Sequence, residues 1–226
     1  MRRIKLSEGE FYHLYNRGVD KRRVFTSSEE YARFIASLYL MNDVRGADYS
    51  HTWRSAGGLA SILEAKPPTS FKRLVAIGAY CLMPNHFHLY VTPLVEDGIS
   101  KFMQRLQTAY TMYFNQKHDR SGSLFQGTFK AEHVARDEYA QYLFSYIHLN
   151  PAKLKEPKWK EVGVRNLRGL RDYLRSYPYS SMGEYVERKH VITNPGQFPE
   201  FLATVRDIDD HIDAWLEVRD LKISEV

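Results

Sequence analysis

CLMPNHFHLYVTP, residues 81–93, decides how this chain is read. His86 and His88 stand one residue apart in a run of strand formers, Phe87, Leu89, Tyr90 and Val91. Side chains alternate faces along a strand, so positions i and i+2 point the same way. The two imidazoles therefore share one face, with Phe87 and Leu89 on the other. A His-x-His pair also occurs as two satisfied or exposed side chains, so the flanks matter. Met83-Pro84-Asn85 sets a rigid turn just before the strand, because proline fixes φ and lacks a donor. The preceding LVAIGAYCL is strand-like, so the two segments read as a hairpin with the histidines just past its turn. Two neutral imidazoles aimed at one point are two ligands of a divalent-metal site that still lacks its others.

The rest of the chain sets bounds on that reading. With 226 residues there is enough for one good core and a small second lobe. A hydrophobic content of 43% with 14% aromatics is that of a globular chain. The single cysteine, Cys81, excludes a disulfide framework within the chain and a cysteine zinc cluster. No apolar run approaches the ~20 residues of a membrane-spanning helix, and MRRIKLSEGEFYHLYNRG lacks the apolar stretch of a signal peptide. A cytoplasmic protein without membrane contact is expected. The net charge of +5 permits a nucleic acid partner.

In chain order, FYHLYNRG (11–18) reads as a strand with His13, Tyr15 and Arg17 on one face and Tyr12, Leu14 and Asn16 on the other. A helix over 28–42, capped by Ser27 or Ser28, carries a core stripe of Tyr31, Phe34, Ile35, Leu38 and Tyr39. Residues 43–70 lose periodicity and gain glycine and proline. They read as a long connecting insertion with a short helix near 58–64. After the hairpin, Asp97-Gly98 closes the strand region and Ser100 is the expected cap of a helix over 99–117. Phe102, Met103, Leu106, Tyr110 and Phe114 face its core, and Arg105 lies among polar residues able to meet a phosphate backbone. LFQGTFKAEHV (124–134) reads as a further strand. Its Phe125, Phe129 and Lys130 suit base stacking beside a phosphate path, or an ordinary edge strand. Asp137 is the expected cap of a helix over 137–150 that Pro151 ends. Tyr146 and Asn150 lie one turn apart on it. His148 points elsewhere.

Strand, helix, strand, strand, helix, strand, helix is an α+β arrangement: a ferredoxin-like βαββαβ unit with an antiparallel sheet and one added, tyrosine-bearing helix. Residues 1–152 form the expected catalytic domain. Residues 153–226 form a basic linker and a helical extension. Between 153 and 175 stand eight basic residues, Lys153 and Arg168 among them, against three acids. That excess favours a DNA-facing segment. Further on, FLATVRDIDDHIDAWL is helical in pattern, with Phe201, Val205, Ile208, Ile212 and Trp215 as its packing stripe.

FYHLYNRG, YCLMPNHFHLYV, MQRLQTAYTMYFNQKH, LFQGTFKA and YIHLNPAK, in this order over about residues 8–190, resemble the single-tyrosine HUH transposases. Within them, the chain looks most like the REP-associated tyrosine transposases, relatives of the IS200-like insertion-sequence enzymes. The resemblance implies that His86 and His88 bind a catalytic Mg²⁺ or Mn²⁺, with Asn150 in the third-ligand position. The small insertion-sequence relatives have a glutamine there, one methylene longer. It implies that Tyr146 attacks a phosphodiester of single-stranded DNA, leaving a 5′-phosphotyrosine link and a free 3′-OH. The implied partners are imperfect-palindrome hairpins of the REP type, bound by a monomer or a homodimer. Asn16, Arg17, Arg105, Lys130, Lys153 and Arg168 are candidate DNA contacts.

The chemistry is coherent. A phenol with an ordinary pKa near ~10 is a poor nucleophile at neutral pH, and a metal on the scissile phosphate compensates by stabilising the charge that develops there. Two other classes share these residues. One is a hairpin-binding protein with idle chemistry; the other is a metal-dependent nuclease that uses water, with Tyr146 only structural.

Overall fold

A computed structural model describes residues 4–46, 59–64, 71–204, 208 and 212. Its single antiparallel sheet is built from β1 (Tyr12–Arg17), β2 (Val75–Met83), β3 (His86–Pro93) and β4 (Lys130–His133), in the order β2-β3-β1-β4. With α1 (Ser28–Leu40) between β1 and β2, and α3 (Gly98–Lys117) between β3 and β4, this is the ferredoxin-like βαββαβ order. The short α2 (Leu59–Glu64) is the described part of the 43–70 segment beyond residue 46 and before residue 71. Residues 47–58 and 65–70 lie outside the described residues, as do Val205 and Trp215 of the expected C-terminal stripe.

Both faces of the sheet are covered. On one, Leu14, Phe87, Leu89 and Val91 pack with Phe34 and Leu38 of α1 and Phe102, Leu106 and Tyr110 of α3. On the other lies the tyrosine-bearing α4 (Asp137–Leu149). It is followed by α5 (Ala152–Lys155), α6 (Trp159–Val162), α7 (Leu167–Ser176), α8 (Met182–Glu187) and α9 (Glu200–Thr204). Leu143, Ile147, Leu170, Leu174, Met182, Leu202, Ile208 and Ile212 form one apolar cluster with Ala76, Ala79, Cys81 and Tyr90 of the sheet. A strand covered on both faces has no need to alternate, and all nine residues of β2 are buried. Cys81 is among them; burial pushes its thiol pKa up, as for a small inert hydrophobe.

The C-terminal helices are keyed to a bulge in β2 between Ile77 and Ala79. Bulging exposes the Gly78 carbonyl, which accepts a 2.6 Å hydrogen bond from the Tyr185 hydroxyl. A Cβ on Gly78 would sit 3.0 Å from both Phe198 and Leu202, so glycine permits this close approach.

Three boundaries differ from expectation. The third helix begins at Gly98, with Asp97 as its N-cap in the left-handed region (φ 58°), so Ser100 is inside it. The tyrosine helix has Arg136 as N-cap and Asp137 as its first residue, where a carboxylate still favours the positive end of the helix. The fourth strand is only Lys130–His133, because Phe125 and Phe129 turn inward. Phe125 meets Phe87 edge-on at 5.6 Å, and both phenylalanines are buried. They are core side chains and offer no platform to a base.

The N-terminus of α1 holds a fully buried carboxylate, Glu30. The Ser27 side chain accepts from the Glu30 N–H, and Glu30 reaches back to accept from the Thr26 N–H and hydroxyl. His118, just past α3, lies 2.7 Å from its other oxygen. Burial opposes ionisation, but the Thr26 bonds, His118 and Lys117 outweigh it and hold the Glu30 pKa below the usual glutamate value. Glu30→Ala is expected to lose about 2–4 kcal/mol at pH 7, since it strips the partners from a buried charge network. The part due to ionisation is present above the ordinary glutamate pKa and is lost as pH falls through the lower native value. Urea unfolding at pH 7 and at acid pH checks this; an equal gap between wild type and variant at both would refute it.

Candidate active site

The hairpin turn that delivers the histidines is tight: Met83 pairs with His86, leaving only Pro84 and Asn85 between. Asn85 has no positive φ, so this is not one of the primed turns that two-residue hairpins favour. The Pro84 carbonyl is held from outside by the N–H groups of Val24 and Phe25, at 2.9 and 3.1 Å, and the Asn85 carbonyl by the Gly18 N–H at 2.9 Å. The loop after β1 thus clamps the turn.

Across β1 and β3, Tyr15 stands opposite His88 and Arg17 opposite His86. His88 is fully buried, and the His86 and His88 rings lie 5.0 Å apart, edge to face. The partners of each ring assign its protons. Asn85 Nδ2 donates to the Lys21 carbonyl, so Asn85 Oδ1 faces His86 and accepts from its Nδ1–H at 2.7 Å. That leaves His86 Nε2 with a free lone pair. His88 Nδ1 lies 2.9 Å from His13 Nε2, and His88 Nε2 is buried without a hydrogen-bond partner among the described residues.

Burial pushes the His86 pKa down to about 4, with Arg17 and Lys153 adding repulsion. Burial, His13, His86 and Lys153 hold His88 well below the usual histidine range. Both rings are neutral at pH 7, the form that ligates a metal.

Helix α4 brings Tyr146 to these rings from the same chain. Its ring meets His88 edge-on at 5.4 Å and His13 at 6.2 Å. Asn150, one turn on, is buried and donates through Nδ2 to the Tyr146 carbonyl at 2.8 Å, which leaves Oδ1 as its acceptor atom. Tyr146, Leu149, Asn150, Lys153, Trp159 and Lys160 line one cleft. Lys160 Nζ lies over the Tyr146 ring at 5.8 Å.

His86, His88, Tyr146, Asn150, Arg17 and Lys153 therefore converge. Lys130 sits at the margin, its Nζ 5.6 Å from the centroid of Tyr15, which neighbours His13. Asn16 does not converge: it is buried on the opposite face, donating to the Gly127 carbonyl and accepting from the Arg17 N–H. Arg105, on α3, also belongs to that far side and donates to the carbonyls of Asp43 and Val44. Arg168 is exposed on α7. His148 is structural, between the Phe144 carbonyl and the Ser181 hydroxyl. Sequence reasoning missed His13, Glu132 and Asn85 as site residues; the i, i+2 spacing of His13 and Tyr15 is a usable signal. Lys160 is one of the basic residues of 153–175 read as DNA-facing, with nothing in the sequence to single it out.

No three His, Cys, Asp or Glu side chains among the described residues cluster as a metal cage. The free Nε2 lone pair of His86, the unpartnered Nε2 of His88 and the acceptor oxygen of Asn150 beside Tyr146 are donor types that fit a divalent ion retaining positions for water and substrate oxygens.

Residues 63–150 match the family model described as Transposase IS200 like. The matched span includes His86, His88, Tyr146 and Asn150 and leaves out β1. Within that class, the solved structure of a REP-associated tyrosine transposase bound to a REP hairpin is similar in fold. Its TM-score is 0.50 at 14% identity, over 88% of each chain. No curated protein matches the chain by sequence.

An NMR titration of metal-free protein should find His86 neutral from pH 8 to about pH 5.5, with its midpoint at about 4. Lys153→Met should raise that midpoint by removing a repelling charge. A midpoint at the ordinary value of about 6.5 would contradict the burial argument.

Proposed function

We propose that this protein is a metal-dependent single-stranded DNA endonuclease and strand transferase that cleaves hairpin-flanked DNA through a 5′-phosphotyrosine intermediate. The observation that carries the reading is Tyr146 edge-on against His88 at 5.4 Å, beside the free lone pair of His86 and the unpartnered Nε2 of His88. The match of residues 63–150 to IS200-like transposases supports it. So does the fold likeness to a transposase bound to a REP hairpin, which makes hairpin DNA the preferred partner.

His86 and His88 would hold a Mg²⁺ or Mn²⁺ through Nε2, with Asn150 Oδ1 as a third protein donor, and such an ion would supply Lewis-acid stabilisation of the charge on the scissile phosphate. Tyr146 Oη attacks phosphorus and loses its proton to solvent. The bond from phosphorus to the 3′-oxygen breaks, and that oxygen leaves and is protonated. The phenolate can leave again when a 3′-OH attacks the link, so joining requires no nucleotide cofactor. Lys153 and Arg17 set positive charge beside the histidines, where a phosphate backbone must lie. Tyr146 is only 6% exposed beneath Lys160, so DNA enters by parting the cleft between α4 and α6.

The test is a denaturing gel of protein mixed with labelled hairpin DNA and Mn²⁺. Wild type should give a covalent protein–DNA band that needs metal, and Tyr146→Phe none. His86→Ala should lower its yield at least ~100-fold, as for loss of a group acting on the transition state. Cleavage that persists in Tyr146→Phe would make the protein a water-using nuclease. Binding without cleavage across many hairpins would make it a binding module.

A further inference from the structure

Behind His88 lies a chain of polar groups that the proposed chemistry does not touch. His13, on β1, is fully buried, and its Nε2 lies 2.9 Å from His88 Nδ1. Its other nitrogen, Nδ1, faces Glu132 Oε2 on β4 at 3.9 Å, an electrostatic contact too long for a direct hydrogen bond, and has no hydrogen-bond partner among the described residues. Glu132 is opposite His13 in the β1–β4 register. Its carboxylate is fixed from two sides: the Tyr15 hydroxyl donates to Oε1 at 2.7 Å, and the Tyr139 hydroxyl of α4 donates to Oε2 at 3.3 Å.

The direction of this chain follows from its ends. The negative charge of Glu132 favours the N–H end of the imidazole on its side, so the His13 nitrogen facing it carries the hydrogen. A neutral His13 then has a bare Nε2, which must accept. His88 must donate to it from Nδ1, and its own lone pair is left on Nε2. That atom is the one buried without a partner on the site side.

We infer that Glu132 and His13 are positioning residues that fix the His88 tautomer and ring orientation, so that its Nε2 is the ligating atom. This rests on reading His86 and His88 as metal ligands. Asn85 does the same for His86 in one step. The relay is longer because His88 lies deeper, with β1 between it and Glu132 on β4. It also ties α4 to the metal ligand through Tyr139, on the helix that carries Tyr146.

Two measurements test this without relying on cleavage. In metal-free, DNA-free protein, ring ¹⁵N spectra should show His88 and His13 both protonated at Nδ1. In His13→Leu, His88 should become a mixture of tautomers. Mn²⁺ titrations followed by electron paramagnetic resonance should show Glu132→Ala and His13→Leu binding about 10–100-fold more weakly than wild type. His13→Gln should recover part of the loss, because its amide oxygen can accept from His88 Nδ1–H. Glu132 has a side chain 32% exposed, so Glu132→Ala tests the idea even if His13→Leu fails to fold. A proton on Nε2 of wild-type His88, or unchanged Mn²⁺ affinity in Glu132→Ala, would overturn the relay. A covalent DNA adduct formed by Tyr146→Phe would sink the proposed function alone, since the ring tautomers are read without DNA or metal.

Discussion

Antiparallel pairing of β1 with β3 puts Tyr15 opposite His88 and Arg17 opposite His86, and most of the site follows from that register. A strand has a period of two, so slipping one residue would send both imidazoles to the face packed by α1 and α3. Phe87 and Leu89 would then meet Tyr146 instead. The register is held hardest at the turn. Proline there forbids a primed turn, and the two N–H groups of Val24 and Phe25 supply the anchoring the turn itself lacks. The connection from β1 to α1 is thus part of the site, although none of its residues touches a ligand position.

Covering the second face of the sheet has an electrostatic consequence. The tyrosine helix and the C-terminal helices bury His13 and His88 and half-bury His86, and desolvation lowers the pKa of all three rings. Positive charge is confined to the margin, on Arg17, Lys153 and Lys160. A neutral imidazole pair inside a basic rim attracts a polyanion without repelling a cation from its centre. An open four-stranded sheet with solvated histidines would carry charged imidazoles at mildly acid pH.

Local periodicity made a large part of this legible. Alternation in CLMPNHFHLYVTP set the two histidines on one face, and helical spacing set Tyr146 and Asn150 one turn apart. The order of elements gave the ferredoxin-like fold. What failed was the reading of polar and aromatic side chains whose partners are distant in sequence. Phe125 and Phe129 have the composition of a strand or a stacking surface, yet they plug the core under Phe87. Asn16 and Arg105 look like DNA contacts, yet they satisfy the carbonyls of Gly127, Asp43 and Val44. Which backbone carbonyl a polar side chain reaches is a property of the folded chain that no local pattern shows. Glu132 escaped notice for the same reason: its partner His13 is opposite it in the sheet and more than a hundred residues away.

The helix end that carries Tyr146, the proposed nucleophile, shows why an asparagine serves there. Pro151 has no N–H and disfavours continuation, so α4 stops and leaves carbonyls of its last turn without helical donors. Asn150 is short enough to fold its amide nitrogen back onto the Tyr146 carbonyl. That bond satisfies a backbone group directly at the nucleophile and fixes the rotamer of the side chain, with Oδ1 as the remaining acceptor. A glutamine, one methylene longer, carries its amide beyond this short return and spends more conformational entropy to be held. Just past Pro151, the first turn of α5 delivers Lys153 to the same cleft. Tyr146, Asn150 and Lys153 thus stand within about two turns of chain, and their spacing is set by the backbone, independent of how the basic segment beyond is arranged.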